Sequence, residues 1–153
     1  MVFVGFQRTV DRQDLLKQAE KLMEELGASR SFLELQYSGE EGIGLGPTLE
    51  FYSLVSQDLQ RADLDLWRGD VTTRSRGDGG EVTSYMFSRC GLFPAPIGRA
   101  AKSAHVTKLK SKFKFMGKFL AKTLLDFSMV CKLYNQKLKF RIFVHTIIFV
   151  FAI

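Results

Sequence analysis

The sequence predicts an α+β fold, mainly helical with a few short strands, and three stretches carry that expectation. Residues 11–26 set Leu15, Ala19, Leu22 and Leu26 at helical spacing, with Leu16 and Met23 widening the apolar stripe. Residues 33–38 alternate Leu33, Leu35 and Tyr37 with Glu34, Gln36 and Ser38, the period of a strand with one face on a core. Residues 106–127 return to steps of three and four through Leu109, Phe113, Met116, Leu120, Leu124 and Phe127, flanked by Phe115 and Phe119.

Each boundary has a chemical reason. Asp11 can accept hydrogen bonds from first-turn amides, and Gly27 is suited to the left-handed conformation that ends a helix. A glycine at nearly every other position from Gly39 to Gly46 then leads into Pro47, which suits a first helical turn. Leu49, Phe51, Tyr52, Leu54, Val55 and Leu59 make residues 47–60 a helix apolar on most of its circumference, expected to be well buried. Residues 69–81 are polar and glycine-rich and read as a loop, 82–87 as a short strand. Pro94 and Pro96 keep 91–96 extended.

The length of 153 residues suits about one domain. A net charge of +6 looks like a preference for anionic partners, but Asp and Glu concentrate in the first half and Lys in the second, so the excess belongs to the last helix. Cys90 and Cys131 are far apart in sequence without paired spacing, so neither a disulfide framework nor a CxxC zinc site is indicated, and a reducing compartment fits best. Gly5 and Gln7 interrupt the apolar start, so no secretory signal is read. The apolar stretch 142–153 would reach only about 18 Å as a helix, against roughly 30 Å of bilayer core, and is not read as a membrane span.

Candidate chemistry is sparse. The glycine run lacks a following Lys-Ser or Lys-Thr and the dinucleotide spacing, so a tight strand-to-helix connection is favoured over a phosphate loop. Cys90, Cys131, His105 and His145 stand at no metal-ligand spacing, and neither cysteine has a local base to lower its pKa. No catalytic, cofactor-binding or metal site is therefore assigned, and no cofactor is expected. Glu50, in the first turn of an apolar helix, is read as a structural carboxylate stabilised by the helix dipole and the glycine loop. The lysine-rich last helix fits an anionic membrane surface or a helix-binding groove. Burying Phe113, Met116 and Leu120, at about 1.5–3 kcal/mol each, favours instead a packed helix with its lysines as a solvated face.

Two blocks carry a resemblance. Residues 33–52, with Gly44-Leu45-Gly46-Pro47-Thr48-Leu49-Glu50-Phe51-Tyr52 at their centre, continue through 59–64 to Leu66-Trp67-Arg68-Gly69. The second runs from Gly91-Leu92-Phe93-Pro94-Ala95-Pro96-Ile97-Gly98-Arg99 through Phe113-Lys114-Phe115-Met116-Gly117-Lys118 to Asp126-Phe127. In family order, they resemble the start of a HECT-type ubiquitin ligase domain, in the thyroid-receptor-interacting and ubiquitin-fusion-degradation branch. The resemblance covers residues 8–130, a portion of the larger (N-terminal) lobe, and 131–153 read as a divergent apolar tail left by a truncated or misread transcript. It implies, for the full-length family, transfer of ubiquitin from a conjugating enzyme to substrate lysines through a cysteine thioester. The catalytic cysteine of such ligases lies beyond the matched blocks, and neither Cys90 nor Cys131 matches its motif, so this chain is expected to be inactive alone. Alternatives are a non-catalytic protein-interaction module and a basic amphipathic membrane-surface binder. Expected partners are the conjugating enzyme and ubiquitin, with substrate proteins unknown and neither nucleic acid nor membrane expected. The expected location is nucleus or cytoplasm, the nucleus favoured by the resemblance.

Overall fold

In a computed structural model, residues 5–26, 29–75, 82–89 and 91–133 are described. Strand β1, Gly5–Val10, lies parallel to β2, Phe32–Tyr37, in register from Gly5 opposite Phe32 to Val10 opposite Tyr37. Parallel neighbours need a crossover, and helix α1, Leu15–Leu26, supplies it. The stripe Leu15, Leu16, Ala19, Leu22, Met23 and Leu26 is buried as its spacing predicts. β1 has no periodic signal of its own; its strand character comes from pairing with β2.

The helix begins at Leu15 rather than Asp11, because the intervening residues form a turn held by side chains. Asp11 Oδ1 accepts the Gln13 amide at 2.8 Å, Gln18 Oε1 accepts the Asp11 amide at 2.9 Å, and Asp14 takes a positive φ of 52°. Asp11 thus caps the turn before the helix. The Gly27 cap lies outside the described residues.

Helix α2, Leu45–Asp58, starts two residues before Pro47, which sits within the first turn where no intrahelical donor is required. Thr48, Phe51, Tyr52 and Val55 are buried, but Leu49 faces outward, so the helix is less fully covered than its composition predicts. After a 3-10 turn at Ala62–Leu64, Trp67 Nε1 donates to the Leu59 carbonyl at 2.7 Å. Trp67–Arg68, strand β3, precedes β4, Asp70–Ser75, and β5, Val82–Phe87; Phe93–Pro94, strand β6, pairs back on β3.

The reading of 69–81 as a loop is corrected over its first half, since β4 pairs antiparallel with β5 from Asp70 opposite Phe87 to Ser75 opposite Val82. Residues 76–81 lie outside the described residues. The strand was illegible because neither face of the hairpin enters the core, leaving β-branched Val71, Thr72 and Thr73 as its only sign. Gly69 makes the approach possible: a Cβ there would stand 2.3 Å from the Phe87 carbonyl oxygen.

Helix α3, Ser103–Leu133, begins earlier and runs further than residues 106–127. The remaining tail, from Tyr134, lies outside the described residues. Its buried side is also rotated from the predicted stripe: Leu109, Phe115, Met116 and Phe119 are buried, whereas Leu124 is 43% exposed. The seam continues through two charged residues, Lys122 and Asp126, which corrects the expectation that all the lysines are solvated. They are an i,i+4 pair, and Lys122 Nζ also donates to the Ser31 carbonyl. Asp126 accepts from the Tyr52 hydroxyl and from the Leu33 amide, the latter at 3.4 Å.

These bonds solve a problem posed by β2, whose second edge has no strand beside it among the described residues. Asp126 takes the Leu33 amide, Thr48 Oγ1 takes the Leu35 amide at 3.0 Å, and the Gly44 amide donates to the Leu35 carbonyl at 3.2 Å. Side chains of α2 and α3 thus stand where a third strand would, and satisfy buried backbone groups that could not be left open. Burial pushes the Asp126 carboxyl above the ordinary carboxylate range against the lowering pull of Lys122, Tyr52 and Leu33, while burial and the adjacent carboxylate raise the Tyr52 phenol. Removing one partner is expected to be costly. Asp126→Ala should lose about 3–5 kcal/mol, because it strands a buried ammonium. Tyr52→Phe should lose about 1.5–3 kcal/mol, one hydrogen bond to a charged acceptor. Urea unfolding of both variants checks this, and losses below about 0.5 kcal/mol would remove the seam from the fold's supports.

Candidate functional site

The glycine run leads from β2 into the start of α2. Gly39, Gly42 and Gly44 have φ of 76°, 124° and 110°, values that L side chains avoid, so the run is conformational in purpose. Gly44 folds back on β2, and Thr48 Oγ1 lies 2.7 Å from the Gly44 carbonyl and 3.2 Å from that of Leu33. The run is therefore the tight strand-to-helix connection that its lack of a P-loop lysine indicates.

Beside it stands a charge cluster that the sequence reading missed. Arg12 reaches from the turn before α1 to two carboxylates. Its Nη2 is 2.9 Å from Glu40 Oε2, its Nη1 is 2.8 Å from Glu50 Oε1, and its Nε also bonds Glu40. The guanidinium lies 4.1 Å from the centre of the Tyr37 ring. Glu50 is structural, as expected, but its partner is Arg12 rather than the glycine loop. The partners are 28 and 38 residues apart in sequence, a separation at which no local pattern signals a pair.

The electrostatics suit a clip better than a catalyst. The Arg12 hydrogen bond holds the Glu40 carboxyl below its ordinary range, and both carboxylates raise the guanidinium further. A general base near neutral pH needs a pKa raised towards 7, so Glu40 is shifted in the wrong direction. Burial, reinforced by Glu50, pushes the Tyr37 hydroxyl up to about 12. That hydroxyl is buried without a hydrogen-bond partner among the described residues.

Of the other residues weighed from sequence, His105 is exposed in the first turn of α3, Cys131 falls within the span of α3, and Cys90 and His145 lie outside the described residues. Among the described residues, no group of three His, Cys, Asp or Glu could hold a metal, and no helix is long and apolar enough to cross a membrane. Leu109, Phe115, Met116 and Phe119 are buried against the rest of the fold, so these apolar side chains of α3 are not free for membrane insertion. Lys122 and Asp126, the other residues missed, did leave a signal: opposite charges four apart within an apolar seam.

Two outcomes test this geometry. Tyr37→Phe is expected to leave stability unchanged or raise it by about 1 kcal/mol, since it deletes an unpaired buried hydroxyl; a loss above about 1 kcal/mol in thermal unfolding would reveal a partner. Glu40, with a lowered folded pKa, contributes stability that is present above its unfolded pKa of about 4.3 and lost as pH falls through the folded value. The melting-temperature gap between the native chain and Arg12→Gln should hold steady above about pH 5 and close as pH drops below about 4. A gap independent of pH would contradict the clip.

No protein-family profile matches the chain. It is similar to curated proteins, however: 57% identical over 124 residues to the E3 ubiquitin-protein ligase TRIP12 of Danio rerio, covering 80% of this chain and 6% of that protein. It is 40% identical over 115 residues to the E3 ubiquitin-protein ligase UPL4 of Arabidopsis thaliana, covering 75% of this chain and 7% of the relative. With ubiquitin fusion degradation protein 4 of Saccharomyces cerevisiae it shares 36% identity over 118 residues, 76% of this chain and 8% of the relative. The chain thus spans less than a tenth of the length of each of these relatives. Identity on this scale, to relatives from fish, plant and yeast, shows that the chain belongs to the TRIP12 and ubiquitin-fusion-degradation branch of the HECT-type ubiquitin ligases.

Proposed function

We propose that this chain contributes the folded opening of a HECT-type ligase domain and serves as scaffold, without forming the ubiquitin thioester itself. The observation that carries the reading is how the polar residues of the matched stretch are used. Thr48 bonds β2, Glu50 pairs with Arg12, and Lys122 and Asp126 neutralise each other against β2 and α2. Residues that would be available for chemistry are committed to holding α2 and α3 on the strand pair. Ligase activity, through ubiquitin and a ubiquitin-conjugating enzyme, would belong to the longer protein, acting in the nucleus or cytoplasm, with the nucleus favoured by the family resemblance.

Thioester formation needs an activated thiolate as nucleophile, and neither Cys90 nor Cys131 follows the family's cysteine motif. Incubating the chain with ubiquitin, activating enzyme, ATP and a panel of conjugating enzymes is expected to give no thiol-reducible ubiquitin adduct. An adduct that disappears in Cys90→Ser or Cys131→Ser would overturn the scaffold reading. A stable complex with a conjugating enzyme but no adduct would favour the second reading, a non-catalytic interaction module. Salt-sensitive attachment to anionic vesicles, lost when Lys110, Lys114 and Lys118 are neutralised, would instead support a membrane-surface role.

A further inference from the structure

The hairpin β4–β5 is the part of the fold that its own core explains least. No described residue of either strand is buried, and Val71 and Val82 are 61% and 63% exposed. A two-stranded hairpin alone is at best marginally stable in water. The two edges differ. β5 leans on the end of α2, since the Met86 amide donates to the Gln60 carbonyl at 2.8 Å and Tyr85 bridges to Arg61. Nothing pairs with the far edge of β4 among the described residues.

The direction of the Met86 bond fixes which groups that edge presents. Met86 sits opposite Val71, and its amide points out of the hairpin, so Met86 and Val71 form a non-hydrogen-bonded pair. By strand alternation, Val71 and Thr73 turn their amides and carbonyls away from β5, towards the open edge. Among the described residues these donors and acceptors, on β-branched residues, have no partner strand, which makes them a template for another strand.

We propose that the partner is a second copy of this chain, joined edge to edge through β4 in antiparallel register centred on Thr72. Three features select this arrangement. Val71 of each copy meets Thr73 of the other, so the outward-facing groups of both copies fall opposite one another as hydrogen-bonded pairs. Asp70 of each copy meets Arg74 of the other, giving two opposite-charge cross-strand pairs between described residues, whereas a register centred on Val71 sets Arg68 opposite Arg74. Both residues are exposed and have no ion-pair partner within their own chain among the described residues; Arg74 only overlies the Tyr85 ring, at 5.8 Å. The two hairpins would become one four-stranded antiparallel sheet with the isologous two-fold symmetry usual in homodimers.

The test is the association state of the full chain, by sedimentation equilibrium over a range of concentrations, with circular dichroism to confirm that each variant folds like the native chain. A salt-sensitive monomer–dimer equilibrium is expected for the native sequence. Asp70→Arg or Arg74→Asp alone places like charges opposite each other twice and should weaken dimerisation by about tenfold or more. The double variant Asp70→Arg/Arg74→Asp should restore it, and mixing the two single variants should give a heterodimer that neither forms with itself. A monomer at every concentration, leaving the edge to some other protein's strand, would overturn the proposal. So would association indifferent to the single reversals, or a double variant no better than either.

Discussion

A parallel strand pair with nothing beside its second edge is the constraint on which the rest of this fold depends. The amides of Leu33 and Leu35 are buried, and burying them unpaired would cost more than most single side chains contribute. The chain answers with side chains from distant helices: Thr48 from α2, Asp126 from α3, and the backbone of Gly44 between them. Once Asp126 faces β2, Lys122 one turn earlier must neutralise it and Tyr52 must cap its other oxygen. The orientation of both helices about β2 follows from satisfying that edge.

The second anchor works at the opposite end of β2 and is of a different kind. Arg12 ties the turn before α1 to Glu40 after β2 and to Glu50 on α2, over the Tyr37 ring. It is solvent-exposed, so its role is to fix geometry more than to supply stability. Between these anchors the glycine run takes the positive φ values that let the chain reverse from strand to helix without displacing Thr48.

The β3–β6 and β4–β5 pairs form a separate, shallower layer. Trp67 connects it to the core, through its indole bond to Leu59 and an edge contact with Phe113 at 5.9 Å. Gly69 then lets the chain pass against Phe87. Because this layer buries little of its own surface, the determinants of its final environment lie in what it packs against, and its open β4 edge is the clearest case.

The sequence by itself determined the α+β class, the buried face of α1, the alternation of β2 and the conformational purpose of the glycine run, because each is a local pattern whose period or φ requirement acts within a few residues. It also carried the family resemblance, in which side-chain identities persist regardless of how they are arranged. Only the tertiary structure decided that β1 is a strand, that 70–75 pairs with 82–87, that Arg12 meets Glu40 and Glu50, and that the buried seam of α3 runs through Lys122 and Asp126. In each of these cases the deciding partner is distant in sequence or the charge is neutralised across elements. Periodicity reads polar residues as solvent-facing, and it has no means of seeing a carboxylate that is buried because a strand edge needs it.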